Sequence, residues 1–228
     1  MAVWDELKVV LVRLRDQQPA TLLGYPTPEV DEGRHPPFPI RLAAWATGTA
    51  ENLHLQFGNN VDLMVGALPY PPGHEPPGRP VSGELVDLLD PHEITAELDG
   101  PAIVRSGDTL THGLLLTNLT SQELQIATNG HVTADVVDPQ TGETVGGFSG
   151  PQRMPLIKFQ VAPGQTRRIP LLIGTDSTVP QLGYAIPAGS WGLRITLTLG
   201  PHPIDSPSRR TPTLPLTITA RTSAGPDR

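Results

Sequence analysis

Thr109-Leu110-Thr111-His112-Gly113-Leu114-Leu115-Leu116-Thr117-Asn118 is the stretch whose reading decides the fold. With the segments after it, it sets a period of two in which short apolar runs are separated by turn residues about every ten positions, the pattern of an antiparallel β-sandwich. The strands expected are His92 to Leu98, Thr109 to Thr117, Glu123 to Thr128, His131 to Asp138, Glu143 to Phe148, Leu156 to Val161, Thr166 to Ile173, Trp191 to Leu199 and Leu214 to Ala220. Two turns are chemically explicit. Asp138-Pro139-Gln140-Thr141-Gly142 and Ala162-Pro163-Gly164-Gln165 each supply a proline to set the turn and a glycine for positive φ. Pro170 lies inside a strand pattern, so that strand is expected at an edge or at a bulge.

Toward the N-terminus the period lengthens. Val3, Leu7, Val10, Leu11 and Leu14 recur at helical spacing, with acids in the first turn and Arg13 and Arg15 in the last, which predicts an amphipathic helix over Val3 to Asp16, ended by Pro19. Such a helix packs on its own domain or docks on a partner. Residues 20–39 read as an irregular, proline-rich connection. A second helix is expected from Pro39, its apolar face made of Ile40, Ala43, Ala44, Thr47, Ala50, Leu53 and Phe57, with Gly58-Asn59-Asn60 as the stop. A strand over Val61 to Ala67 follows. Pro69 to Pro80 is a stiff polyproline-like connector and the expected boundary. The organisation predicted is a helix, helix, strand α/β extension over 1–68, a connector over 69–80, and the sandwich over 81–228 with a disordered tail from about 222.

Composition narrows the function. With 228 residues, 37 % of them apolar and only 4 % aromatic, the core must be aliphatic, and 27 prolines and 23 glycines favour short elements. A net charge of −7 repels a phosphate backbone, and no basic stripe offsets it, so nucleic acid is not an expected partner. Arg167-Arg168 and Arg209-Arg210 read as solvated charges. Arginine far outnumbers lysine beside abundant Ala, Gly and Pro, which suggests a high-GC, for instance actinobacterial, genome. Without cysteine there is no disulfide, thiolate metal site or thiol nucleophile. No run approaches the about 20 apolar residues of a membrane span, and the acidic N-terminus does not resemble an export signal, so membrane insertion is not expected and a cytoplasmic location is. Asn118-Leu119-Thr120 matches a glycosylation acceptor, read as accidental.

Ser106-Gly107-Asp108-Thr109-Leu110, Leu114 to Asn118, Val132 to Val137 with Asp138 and Gly142, Val161-Ala162-Pro163-Gly164 and Ile186-Pro187-Ala188-Gly189-Ser190-Trp191 follow one another in an order similar to a bacterial immunoglobulin-like module. The family it most resembles is that of the intracellular proteinase inhibitors. The resemblance spans about Asp90 to Leu199 and implies an immunoglobulin-like β-sandwich, so the fold class expected is mainly β with a smaller N-terminal α/β extension. Its motifs are turns and strand ends, which specify architecture and not activity. No inhibitory residue of the family maps onto this chain. The chain departs from the pattern in a long loop, Gly174 to Tyr184, whose Val179, Leu182 and Tyr184 either form a contact surface or fold back over one end of the sandwich.

Searches for chemistry return little. His35, His54, His74, His92, His112, His131 and His202 are scattered without metal-ligand spacing; His112 and His131, with Asp108 and Asp135 nearby, would need a particular strand register to form a metal or acid/base cluster. Gly146-Gly147-Phe148-Ser149-Gly150 resembles a nucleophile elbow but has Pro151 where the second glycine belongs, and reads as a turn. No catalytic, cofactor-binding or metal-binding residue is assigned and no cofactor is expected. The expectation is a non-catalytic interaction protein, an adaptor or scaffold, with an unidentified protein partner contacted through Val179, Leu182, Tyr184 and Tyr70. The alternatives are a proteinase inhibitor and an enzyme whose site lies between the extension and the sandwich.

Overall fold

The computed structural model describes residues 3–25, 36–72, 86–150, 156–202 and 206–221. The rest of the expected connector, from 73, and the expected tail from 222 lie outside the described residues. The first part of the chain forms an α/β unit. Helix α1 (Val3–Gln17) is followed by β1 (Leu22–Gly24), β2 (Phe38–Leu42), α2 (Thr47–Phe57), a 3₁₀ turn, β3 (Val61–Val65) and β4 (Leu68–Tyr70). Leu7 and Leu11 of α1 are buried, with Asp5 and Glu6 in its first turn and Arg15 in its last, so the helix packs on its own chain with its charges matched to its dipole.

The expected helix start at Pro39 is corrected. Phe38, Ile40 and Leu42 are buried while Pro39 and Arg41 face out, so the segment is a strand, and α2 begins only at Thr47. Two-residue alternation over this stretch outweighs the helical spacing that also runs through Ile40 and Ala43. Strand β2 pairs parallel with β3, with α2 in the crossover between them, and β1 and β4 complete a four-stranded sheet. Pro39 costs no hydrogen bond to β1, whose pairing reaches only Arg41 and Leu42. Pro69 and Tyr70, expected in the connector, lie in β4.

The remainder is β-rich. It contains β5 (Ile94–Leu98), β6 (Ile103–Arg105), β7 (Thr109–Asn118), β8 (Leu124–Thr128), β9 (Val132–Val137), β10 (Thr144–Gly147), β11 (Ile157–Val161), β12 (Thr166–Gly174), β13 (Asp176–Ser177), β14 (Gly189–Thr198), β15 (Ser208–Arg210) and β16 (Leu214–Thr219). The hydrogen-bonded order is β5-β7-β12-β9-β14-β16-β6, with β10 and β13 beside β9, β15 beside β14, and β8 paired to β11 separately. These strands enclose one aliphatic core, including Leu114, Leu116, Ile169, Leu171, Leu193 and Ile195.

The antiparallel pairing expected from the sequence does not hold throughout. Strands β12 and β9 run parallel over Leu171 to Ile173, as do β16 and β6. The edge position expected for the Pro170 strand is also corrected: β12 is bonded on both sides. The register explains the tolerance. Pro170 faces Gly113, whose N–H goes to His112 Nδ1 and whose carbonyl accepts from Asp99, so no bond is asked of the missing proline N–H, and pairing to β9 starts only at Leu171.

Asn118, the nominal glycosylation acceptor, is fully buried at the end of β7. Its Nδ2 donates to the carbonyls of Gln122 (2.7 Å) and Val161 (2.8 Å), and its Oδ1 accepts from the Thr120 N–H and hydroxyl. It ties the β7 turn to β11, which is a structural role.

Candidate site at the junction of the two units

The two units meet along one seam. Gly66, at φ 58° in the β3–β4 turn, leaves room for the Tyr184 carbonyl and the Asp176 Cβ; a Cβ there would lie 3.2 and 3.3 Å from them. Tyr184 donates its hydroxyl to the Pro69 carbonyl (3.2 Å), and its ring lies 6.2 Å from that of Tyr70. Burial, and then Tyr70, push the Tyr184 phenol up, so it stays a donor. Trp45 packs over Gly107, and Arg41 donates to the Ser149 carbonyl (3.4 Å).

A cleft of about 270 Å³ opens at this seam, lined from the α/β unit by Leu23 and Trp45 and from the β unit by Asp108, Thr109, Phe148 and Asp176. Strand pairing sets its floor. Gly146 and Gly147 of β10 pair with Ser177 and Asp176 of β13, and a side chain at Gly146 would strike the Asp176 carbonyl oxygen at 2.0 Å. Gly146 is therefore what allows Asp176 to reach its place. Asp176 is 7 % exposed, and its carboxylate accepts a hydrogen bond from the Ser149 hydroxyl. Burial pushes its pKa up, more than the bond from Ser149 lowers it.

At the same seam Arg221, just past β16, places its guanidinium 4.7 Å over the Trp45 ring and donates through Nη2 to Asp108. Thr175 N–H and Oγ1 both donate to the Asp108 carbonyl, which joins the backbone bearing one acid to that bearing the other.

The residues singled out in the sequence lie on several elements. Val179 and Leu182 pack half-buried against the β core, and Tyr70 and Tyr184 against the α/β core, so the Gly174 to Tyr184 loop turns inward. His112 accepts from the Gly113 N–H at Nδ1 and bonds to the Pro101 carbonyl through Nε2, and His131 stacks edge-on to Phe148. Among the described residues no three His, Cys, Asp or Glu side chains gather at metal-binding range. Arg168 is paired with Asp99 (2.5 Å) and Arg209 with Asp87 (3.5 Å). The sequence reading placed Ser149 in a turn and did not single out Asp176. The available signal was the glycine pair at 146–147 with Gly174, since glycine inside strands marks close backbone approach.

No family model and no curated protein matches the chain. Among solved structures it is similar to the CARDB domain of the PF1109 protein from Pyrococcus furiosus, solved with di-metal ions (10 % identity, 57 % of this chain and 94 % of that one, TM-score 0.29). It is also similar to a PapD-like domain of human CEP192 (14 % identity, 64 % and 100 %, TM-score 0.28) and to the CooA pilin subunit of enterotoxigenic Escherichia coli (12 % identity, 56 % and 99 %, TM-score 0.27). Likenesses at these scores carry no argument, and the description of the fold rests on the strand order above. Among the described residues no helix is long and apolar enough to cross a membrane.

Proposed function

We propose that the chain is a non-catalytic interaction protein in which an immunoglobulin-like sandwich serves as a platform for the α/β unit and for helix α1. The hydrogen-bonded path β5-β7-β12-β9-β14-β16-β6 around one aliphatic core supports that reading. The supporting observation is the outer face of α1. Val9 is 58 % and Val12 41 % exposed, although the opposite face of the helix is already satisfied by Leu7 and Leu11. The valines lie on the outer face of the helix between Asp5 and Lys8 toward its start and Arg13 and Asp16 toward its end. An apolar strip with charges of both signs at each end suits an amphipathic helix from a protein partner.

Photocrosslinking tests this. A benzoylphenylalanine at Val9 or Val12 should give one adduct from host extract, mapped to a helical segment of one protein, whereas the same group at Leu55, 76 % exposed on α2, should not. Equal labelling from all three positions, or none from Val9 and Val12, would contradict the proposal.

The enzyme alternative draws on one observation, the desolvated Asp176 bonded to Ser149 in a cleft between the units. Hydrolysis of any substrate in a general esterase and glycosidase panel, abolished by Asp176→Asn, would establish it. Activity indifferent to that change would remove it. The inhibitor alternative needs an exposed loop tip, and the inward packing of Val179, Leu182 and Tyr184 lends the Gly174 to Tyr184 loop no support for that role.

A further inference from the structure

We infer that the junction cleft is a binding site for a guanidinium or ammonium group, held between the Trp45 ring and the carboxylates of Asp108 and Asp176, and that Arg221 is a tethered competitor for it. The inference is independent of the outer face of α1. Three observations on different elements carry it. The chain's own cation already uses part of the machinery, since Arg221 lies over Trp45 and bonds to Asp108. Asp176 lines the same cavity, and among the described residues its side-chain partner is the neutral Ser149 hydroxyl, so its charged form has no counter-ion among them. The walls of Trp45 and Phe148 and the lining from Leu23 and Ala43 are apolar or aromatic, which excludes water from an ion pair and strengthens it.

Asp176 has no cationic partner at the cleft among the described residues. Asp108 and Asp176 are the carboxylates; Arg221 is paired with the first, and Arg41 reaches the Ser149 carbonyl instead of the second. An incoming cation would supply the partner that Asp176 lacks there. A basic side chain of a protein partner and a free polyamine share this chemistry.

The experiment is calorimetric titration of the full chain with agmatine, which carries both cation types, and with n-butylurea as the neutral comparator. Removing Arg221 frees Asp108 and one face of Trp45 from a competitor whose local concentration is on the order of millimolar. Arg221→Ala should therefore bind agmatine at least about 10-fold more tightly than the wild type, and n-butylurea should not bind either. Adding Asp176→Asn to Arg221→Ala should weaken agmatine at least about 10-fold. Because the cation favours the ionised form of an acid whose pKa burial has raised, binding should release protons, read as a dependence of the heat on the ionisation enthalpy of the buffer. Thermal melts check folding. If the double variant does not fold, Trp45→Leu in the Arg221→Ala background takes its place and should weaken agmatine several-fold. Absence of saturable agmatine binding to Arg221→Ala, equal affinity with and without Arg221, or equal binding of n-butylurea would each overturn the inference.

Discussion

Replacing Gly146 by alanine should uncouple the strand that carries Asp176 from the β unit. The added Cβ would stand 2.0 Å from the Asp176 carbonyl oxygen and 3.0 Å from Ile186 Cδ1, against a limit near 3.0 Å for real Cβ contacts. The oxygen belongs to backbone and cannot rotate away, so β10 and β13 must part by about 1 Å. Forced overpacking of this kind costs about 1–3 kcal/mol. The β10–β13 ladder has only two registered residue pairs, so parting also weakens a hydrogen bond there, for about 0.5–1.5 kcal/mol more. The expected loss is about 2–4 kcal/mol. Urea unfolding followed by tryptophan fluorescence reads it, because Trp4 and Trp45 report the α/β unit and Trp191 the β unit. A loss under about 0.5 kcal/mol at unchanged denaturant slope would refute the reasoning, since it would mean that the two strands do not approach as described.

Three further outcomes follow from other residues. Gly48→Ala, where no atom lies within 4 Å of the added Cβ in the first turn of α2, should raise stability by about 0.5–1 kcal/mol in the same urea assay, opposite in sign to Gly146→Ala. Asn118→Ala should cost about 2–3 kcal/mol, because the buried Val161 carbonyl loses its donor and the turn at Thr120 loses its acceptor. Asp176→Asn should change the pH dependence of stability. The folded carboxyl titrates above its unfolded value, so its contribution is most favourable below the unfolded pKa and is lost as pH rises through the folded one. The asparagine variant should therefore gain on the wild type at about pH 8 and lose that advantage toward about pH 3 in thermal melts, whereas a constant offset at all pH values would contradict the burial of Asp176.

The strands were legible because alternation and turn chemistry act within a few residues. Every strand expected between His92 and Ala220 is present to within a few residues of its predicted ends. What was missed has physical reasons. Strands β6, β13 and β15 have two or three residues each and owe their pairing to neighbours brought in from elsewhere, Ile103 to Thr217, Gly146 to Ser177 and Thr196 to Arg210. Residues 38–42 support either period, and the contact with β3 decides between them. The cleft was illegible because Trp45, Asp108, Phe148 and Asp176 come from four separate stretches, and no local pattern encodes their convergence. Arg221 shows the same limit, since a solvated arginine and one stacked on Trp45 read alike in sequence.

Much of this depends on the Gly174 to Tyr184 loop lying inward and sealing the seam between the units. Hydrogen–deuterium exchange of the backbone amides in residues 175–186 tests that most directly. Ser177 N–H donates to the Tyr184 carbonyl and Ile186 N–H to that of Thr175, so these amides should exchange as slowly as those of β7. Exchange of the whole segment within seconds would show an open loop and contradict the seam described.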